Sequence, residues 1–363
     1  MSNYWNTRTK TLSPYVPGEQ PRDRTFIKLN TNENPYPPSP RVLEAIQRVL
    51  SDGPAAGSRL RLYPDPECRE LREAAAARYG VKPAQVFAGN GSDEVLAFAF
   101  GAFFDSNTAP ILFPDISYSF YPVYAGLWNI PFRTVPVRED FSIDYKDYLV
   151  HAGGVIFPNP NAPTGRTLPQ DEILRIAAYQ EKQSRVLIVD EAYAAFGAES
   201  VVPAIEEHPN LLTVHTLSKS ASLAGLRVGF AIGNEELIEG LCRIRDSFNS
   251  YTVDRIAQAA AAAALRDTAY YDGITQKVIA ARELAASALS KLGFTVLPSG
   301  ANFLFIRSPT KSGPDLFAAL REKGILVRHF NQPRIADFLR LSIGADKEMD
   351  TSLAACIEIE DGK

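Results

Sequence analysis

The feature that most constrains this chain is a rhythm between residues 85 and 232. Six short apolar runs recur there: 85–88 (QVFA), 110–113 (PILF), 154–157 (GVIF), 185–189 (RVLIV), 211–214 (LLTV) and 228–232 (VGFAI). Polar loops and helical stretches separate them. Short β-branched runs alternating with helices predict an α/β fold, a mostly parallel central sheet covered by helices on both faces. Ligands of such sheets sit outside the carboxyl ends of the strands. The loops that directly follow the runs are therefore where chemistry is expected.

The flanks read differently. Roughly the first 25 residues, with SPYVPGEQPRDR, are rich in proline and charge without periodicity and predict an extended arm. Near Asp254 the chain turns alanine- and leucine-rich (DRIAQAAAAAALRDTAYY, ITQKVIAARELAASALSKLG), which predicts long helices. After Gly293 come FTVLP, NFLFIR, GILVRHF and FLRLSIG with the helical FAALREKG among them, a small α+β unit. The expected organisation is an N-terminal arm over 1–36 that joins the small domain, a large cofactor-binding domain over 37–262 and a small C-terminal domain over 263–363.

Composition removes several classes of function. With 42 acidic and 38 basic residues the net charge is −4, which argues against nucleic acid as the main partner. No stretch of about 18 apolar residues offers a membrane span. The polar opening MSNYWNTRTK predicts no secretory leader. Cys68, Cys242 and Cys356 are odd in number and lack CxxC spacing. Neither a disulfide framework nor a cysteine metal site is expected, and a reducing cytoplasm fits.

Four loops after the apolar runs carry residues that plain folding explains poorly. In AGNGSDEV, Gly89 and Gly91 permit a tight turn, and Ser92 or Asp93 can cap the helix that follows. A helix start reached through glycines offers free N–H groups to an anion. No third glycine follows at the dinucleotide spacing, which disfavours a nicotinamide enzyme. In FPNPNAPTGR, three prolines and Gly165 stiffen a loop bearing Asn159 and Asn161. In RVLIVDEAYAAF, Asp190 ends a buried run, where a carboxylate is costly unless it meets a cation, and Tyr193 follows three positions on. In TLSKSASLAGLRVGF, Lys219 stands between Ser218 and Ser220 with Arg227 eight residues later. An amine beside hydroxyls and another cation can have its pKa lowered enough to be nucleophilic.

Together these are the parts of a pyridoxal phosphate pocket, whose signature is a lysine imine with an aspartate at the pyridinium nitrogen. Ser92, the Asp93 backbone, Ser218 and Arg227 form the anion site. Asp190 keeps the ring nitrogen protonated, so the ring can absorb electrons. Tyr193 and an asparagine of the second loop reach the ring hydroxyl oxygen. Tyr118, in FPDISYSFY, is the best-placed aromatic to cover one ring face, with a core tyrosine as the alternative.

Ten segments then fall in a telling order: SPYVPGEQP, KLNTNENPYPPS, RLYPDPECREL, GNGSDE, PNPNAPTG, DEAYAAF, TLSKSASLAGLRVGF, ANFLFIR, VRHF and FLRLSIGADKEMD. On them the chain resembles the fold-type I pyridoxal phosphate-dependent aminotransferases of class I/II over nearly its whole length. Within these it is most similar to the histidinol-phosphate branch. The resemblance implies that Lys219 binds the cofactor and then moves the substrate proton. It implies that Arg340 clamps the α-carboxylate of glutamate, a planar fork meeting a carboxylate. Arg328, with Tyr15 and Asn32, would contact the substrate's phosphate or glutamate's side-chain carboxylate. Tyr63 would reach the cofactor phosphate of a neighbouring subunit, making a homodimer obligatory. His329, beside Arg328, reads as a surface histidine. The implied reaction is transamination of L-histidinol phosphate with 2-oxoglutarate in histidine biosynthesis. Threonine-phosphate decarboxylation, aromatic amino-acid transamination and a non-catalytic binding module are the alternatives. One departure stands out: Ala162 occupies the place directly before Pro-Thr-Gly where many relatives have asparagine. Asn161 is expected to supply that amide by a small loop shift, with Asn159 in reserve.

Overall fold

The computed structural model describes residues 3–21 and 24–362. Met1, Ser2, Arg22, Asp23 and Lys363, which the expected arm and C-terminal unit include, lie outside the described residues. After a short strand β1 (Ile27–Lys28), the chain builds β2 (Val86–Gly89), β3 (Ile111–Pro114), β4 (Phe132–Val135), β5 (Val155–Pro158), β6 (Leu187–Asp190), β7 (Leu211–Thr216) and β8 (Gly229–Gly233). The last seven form one sheet in the order β2-β8-β7-β6-β5-β3-β4. All six apolar runs are strands of it.

Strands β3 to β7 run parallel; β8 is antiparallel to both of its neighbours, β2 and β7. Burial on both faces explains the continuous apolar runs. On β6, Leu187 and Val189 join one core cluster and Ile188 the opposite one; β5 divides Val155 and Phe157 from Ile156 in the same way. Each such fully buried side chain contributes roughly 1.5–3 kcal/mol. The seventh strand, β4, was not expected. It is the sheet edge, and Phe132, Arg133 and Thr134 are exposed, so its sequence carries no apolar run.

The alanine-rich tract forms helices Arg255–Arg266 and Thr268–Lys291. Helices Pro40–Ser51 and Arg69–Tyr79 pack against the first, whose buried Ala257, Ala260, Ala261 and Ala264 allow close approach. Asp254 caps it, accepting from the N–H groups of Ile256 and Ala257 at 2.9 Å. Beyond it lie β9 (Thr295–Val296), β10 (Phe303–Arg307), β11 (Ile325–Leu326), β12 (Arg328–His329) and β13 (Leu339–Ser342). Four of them form an antiparallel sheet in the order β12-β13-β10-β9. Strand β11 pairs instead with β1, tying the N-terminal segment to this unit. The arm is not wholly extended: Thr7–Thr11 is a helical turn capped by Asn6. Among the described residues no helix is long and apolar enough to cross a membrane.

Candidate active site

Parallel strands bring their carboxyl ends to one edge of the sheet. Pro158 of β5, Asp190 of β6 and Thr216 of β7 all line a cavity of about 450 Å³ there. Because β8 runs the other way, its beginning lies at that edge, which is why Arg227 reaches the cavity from before a strand.

The anion end is built on close backbone approach. Helix Gly91–Phe103 starts at the cavity with Ser92 and Asp93 in its first turn. A Cβ on Gly229 would lie 2.3 Å from the Ser92 nitrogen, and one on Gly91 would lie 2.6 Å from Arg227 Nη2. Only glycine lets the guanidinium and the helix start meet. Neither Ser92 nor Asp93 is the cap: that position is Asn90, whose N–H donates to Glu94 Oε2 at 2.7 Å. The Asp93 carboxylate instead accepts from Tyr118 Oη at 2.7 Å and from Arg227 Nη2 at 2.9 Å.

Lys219 enters the same cavity beside Ser218. Its Nζ donates to the Thr31 carbonyl at 2.9 Å, while Asn34 Nδ2 donates to the Lys219 carbonyl at 3.0 Å. Burial, with the Arg340 charge nearby, pulls its pKa down to about 8. A lysine shifted this way reaches its neutral, nucleophilic form far more readily than a solvated one. Asp190 is buried at the cavity floor, where burial pushes its pKa up to about 7. The Ala192 N–H and the Tyr121 phenol donate to it at 3.1 and 3.3 Å. A carboxylate so poorly compensated favours an incoming cation. Its neighbour Glu191 faces away, accepting from Ser200 Oγ and the Val201 N–H, and burial takes its pKa to about 7 as well.

The far wall comes from the small sheet and the N-terminal segment. Arg328 and Arg340 are directly paired across β12 and β13, and both line the cavity. Arg340 Nη2 donates to the Asn30 carbonyl at 3.0 Å, and its buried Nε has no partner. Arg328 Nη2 donates to the Val16 carbonyl at 3.1 Å. Tyr15 stacks on Phe120 with ring centres 4.3 Å apart.

Twelve of the fourteen residues expected from sequence line this one cavity; Asn161 and Tyr63 do not. The expectation for Asn161 is corrected. Its Nδ2 donates to the Ile116 carbonyl, in the segment after β3, at 2.9 Å and to Thr164 Oγ1 of its own loop at 3.0 Å. Asn159 is equally committed, to the backbone of Leu168. Ala162 is the residue of that loop, with Pro158, that faces the cavity. Asn32 lines the cavity, where its amide bonds Tyr193 and Ser342. Tyr63 is 77% exposed, stacked on Tyr251. His329 is half-buried against the Ala336 carbonyl rather than on the surface. Sequence reasoning missed Thr31, Asn34 and Tyr121. Two act through or upon backbone, and the third sits in a tyrosine-rich segment where spacing singles out no member.

An activated lysine, a floor carboxylate seeking a cation and a glycine-walled anion cradle fit pyridoxal phosphate in amine, ring nitrogen and phosphate. Fold and site together define a fold-type I pyridoxal phosphate enzyme. The aminotransferase class I and II family matches residues 24–357. A Bordetella parapertussis protein named histidinol-phosphate aminotransferase 1 is 56% identical, over 99% of both chains. One from Aromatoleum aromaticum, named histidinol-phosphate aminotransferase, is 53% identical over 99% of both. The crystal structure of histidinol-phosphate aminotransferase from Sinorhizobium meliloti in complex with pyridoxal-5'-phosphate superposes with a TM-score of 0.87 at 26% identity, over 100% of this chain and 99% of that one. The chain belongs to the aminotransferase class I and II family, and it is a pyridoxal phosphate-dependent transaminase.

Proposed function

We propose that the chain transfers the amino group of L-histidinol phosphate to 2-oxoglutarate, giving imidazole-acetol phosphate and L-glutamate. The observation that carries this reading is the Arg328–Arg340 pair. Like charges directly opposite across two strands are destabilising unless an anion lies between or beside them. The cofactor phosphate belongs at the other end, with Arg227. The two arginines therefore serve a second anion, and both substrates carry one: a phosphate, or a pair of carboxylates. The names of the relatives agree with the phosphorylated amino alcohol.

Bound pyridoxal phosphate supplies an electron sink for the substrate carbon that loses its proton. Lys219 would take that proton on its Nζ and hold it for return during the transfer. Asp190 holds the proton on the ring nitrogen, and Tyr193 donates to the ring oxygen. Ser92 and Asp93, through their N–H groups, with Ser218 and Arg227 hold the phosphate. Tyr118 covers one ring face. Arg340 clamps the α-carboxylate of glutamate, and Arg328 with Tyr15 receives the distal anion. The smaller sheet, with β1 and β11, forms a lobe that closes this wall over the larger one. The active unit is a homodimer, because Tyr63 stands exposed, stacked on Tyr251 and close in sequence to the exposed Leu60 and Leu62, a surface suited to a second copy. A cytoplasmic location suits three free cysteines.

The test is direct. The holoenzyme, given histidinol phosphate and 2-oxoglutarate, should form glutamate in proportion to substrate consumed. No glutamate with this pair, but carbon dioxide from threonine phosphate or glutamate from an aromatic amino acid, would replace this reading.

A further inference from the structure

Asn32 is 1% exposed, and its backbone lies in the left-handed region at φ +57°. Its polar atoms are all engaged. The N–H donates to Ser342 Oγ at 2.9 Å, and the Ser342 hydroxyl donates back to Asn32 Oδ1 at 2.8 Å. The carbonyl accepts from Asn302 Nδ2 at 2.9 Å. That leaves Nδ2, which donates to the Tyr193 hydroxyl at 2.9 Å. The amide cannot reverse: turned over, Ser342 Oγ would receive two donors and its own buried proton would have no acceptor. Tyr193 therefore accepts from Asn32, and its phenol proton must point elsewhere.

Tyr193 lines the cavity with Asp190 and Lys219, and Ala162 beside it offers no donor. The Asn159 amide is committed to the Leu168 backbone, and the Asn161 amide to the Ile116 carbonyl and Thr164. We propose that Asn32, with Ser342 behind it, is a positioning pair that fixes the Tyr193 hydroxyl as the donor to the cofactor's ring oxygen and replaces the amide absent at position 162. The proposal rests on the reading that Tyr193 faces that oxygen. Three donors then point the same way, from Ser342 through Asn32 to Tyr193, and each polarises the next. They come from three parts of the chain: β13 of the small sheet, the N-terminal segment and the loop after β6. The donor is in place only when those parts are docked together.

A donor at the ring oxygen stabilises its anion, so it lowers the pH at which the bound cofactor's visible absorbance changes. Asn32→Gly removes the amide without adding charge and keeps the left-handed backbone. It should raise that midpoint by about half to one pH unit, the scale of one hydrogen bond to a charged group. Tyr193→Phe should raise it at least as much, and Asn32→Gly made in the Tyr193→Phe background should add nothing. A midpoint unmoved by Asn32→Gly while Tyr193→Phe shifts it would overturn the proposal, as would additive shifts in the double variant. If Tyr193→Phe itself moves nothing, Tyr193 does not face the ring oxygen, and the underlying reading fails first. Should Asn32→Gly not fold, Ser342→Ala, which frees the amide to turn, is held to the same outcomes.

Discussion

The Tyr121 hydroxyl donates to Asp190 Oδ2 across 3.3 Å, from the first turn of helix Tyr121–Trp128 to the last residue of β6. Both side chains are buried, and burial raises the tyrosine's pKa well above its ordinary value, with the Asp190 charge adding to it. Tyr121 therefore stays a donor at every working pH, and it steadies the ionised carboxylate that the ring nitrogen needs.

Tyr121→Phe should leave the fold intact and weaken pyridoxal phosphate binding. One hydrogen bond to a charged group corresponds to roughly 1.5–3 kcal/mol, or about a 10- to 100-fold rise in the dissociation constant. Absorbance titration of the cofactor-free protein measures it; an unchanged constant would remove Tyr121 from the site.

Asp190 and Glu191 make the cofactor-free protein sensitive to pH. Both have folded-state values near 7, raised by burial above the ordinary carboxyl range. The folded chain thus holds protons that the unfolded chain has released between about pH 4 and pH 7. Stability from this source is full below about pH 4 and is lost as pH rises through 7, by on the order of a few kcal/mol. Urea unfolding at pH 5.5 and pH 8 should show the higher midpoint at pH 5.5. Asp190→Asn should shrink the difference without abolishing it, since Glu191 remains.

The two glycines of the anion cradle differ from glycines elsewhere. Gly229→Ala drives a methyl to within 2.3 Å of the Ser92 nitrogen, backbone that cannot turn aside. It should displace the start of helix Gly91–Phe103 and raise the cofactor's dissociation constant more than about tenfold, in line with lost anion contacts. Gly126→Ala lies in a helix with open space around it. That change should stabilise the protein by up to about 1 kcal/mol and leave cofactor binding alone. Equal effects of the two would refute the cradle.

How far the sequence told this in advance depends on what each residue touches. The six buried runs were legible because both faces of each strand are apolar; β4 was not, since an exposed edge needs no such run. Lys219 and Asp190 were legible because a charge at the end of a buried strand demands a reason. Arg227 was legible as a second cation eight residues after Lys219; it reaches the cavity although it precedes its strand, because one antiparallel strand reverses which end faces the cavity. Asn161 misled: the side chain of a stiff loop can satisfy the loop itself, and hydrogen-bond partners 45 residues away are invisible to spacing. The same holds for Thr31 and Asn34, whose contacts with Lys219 bridge more than 180 residues.

Reduction with borohydride should trap the cofactor on Lys219. Peptide mass spectrometry is expected to find the adduct on the TLSKSASLAGLR segment and on no other lysine. Lys219→Ala should lose both the visible absorbance band and at least about a thousandfold in turnover, as expected when a covalent nucleophile that is also the base is removed. An adduct elsewhere would dismantle the catalytic assignment.

Arg340 should separate carboxylate recognition from cofactor chemistry. Its Nε is buried without a partner, and its guanidinium lies over the rings of Phe303 and Phe330 at 5.4 and 5.6 Å, held flat between the small sheet and the cavity. Arg328 opposite it adds repulsion, which together with burial lowers the Arg340 pKa and leaves the pair undercompensated until an anion arrives. Arg340→Ala should therefore raise the KM for glutamate by about 100-fold, the scale of a charged hydrogen-bonded pair broken at one partner. The cofactor's dissociation constant should stay within about twofold, because its phosphate is held at the other end. Arg340→Lys should recover little, since a point charge replaces a planar fork. Steady-state kinetics with glutamate, set beside a cofactor titration of each variant, decides it: a rise in KM accompanied by an equal loss of cofactor affinity would mean that Arg340 shapes the whole cavity, and unchanged kinetics would place the carboxylate elsewhere.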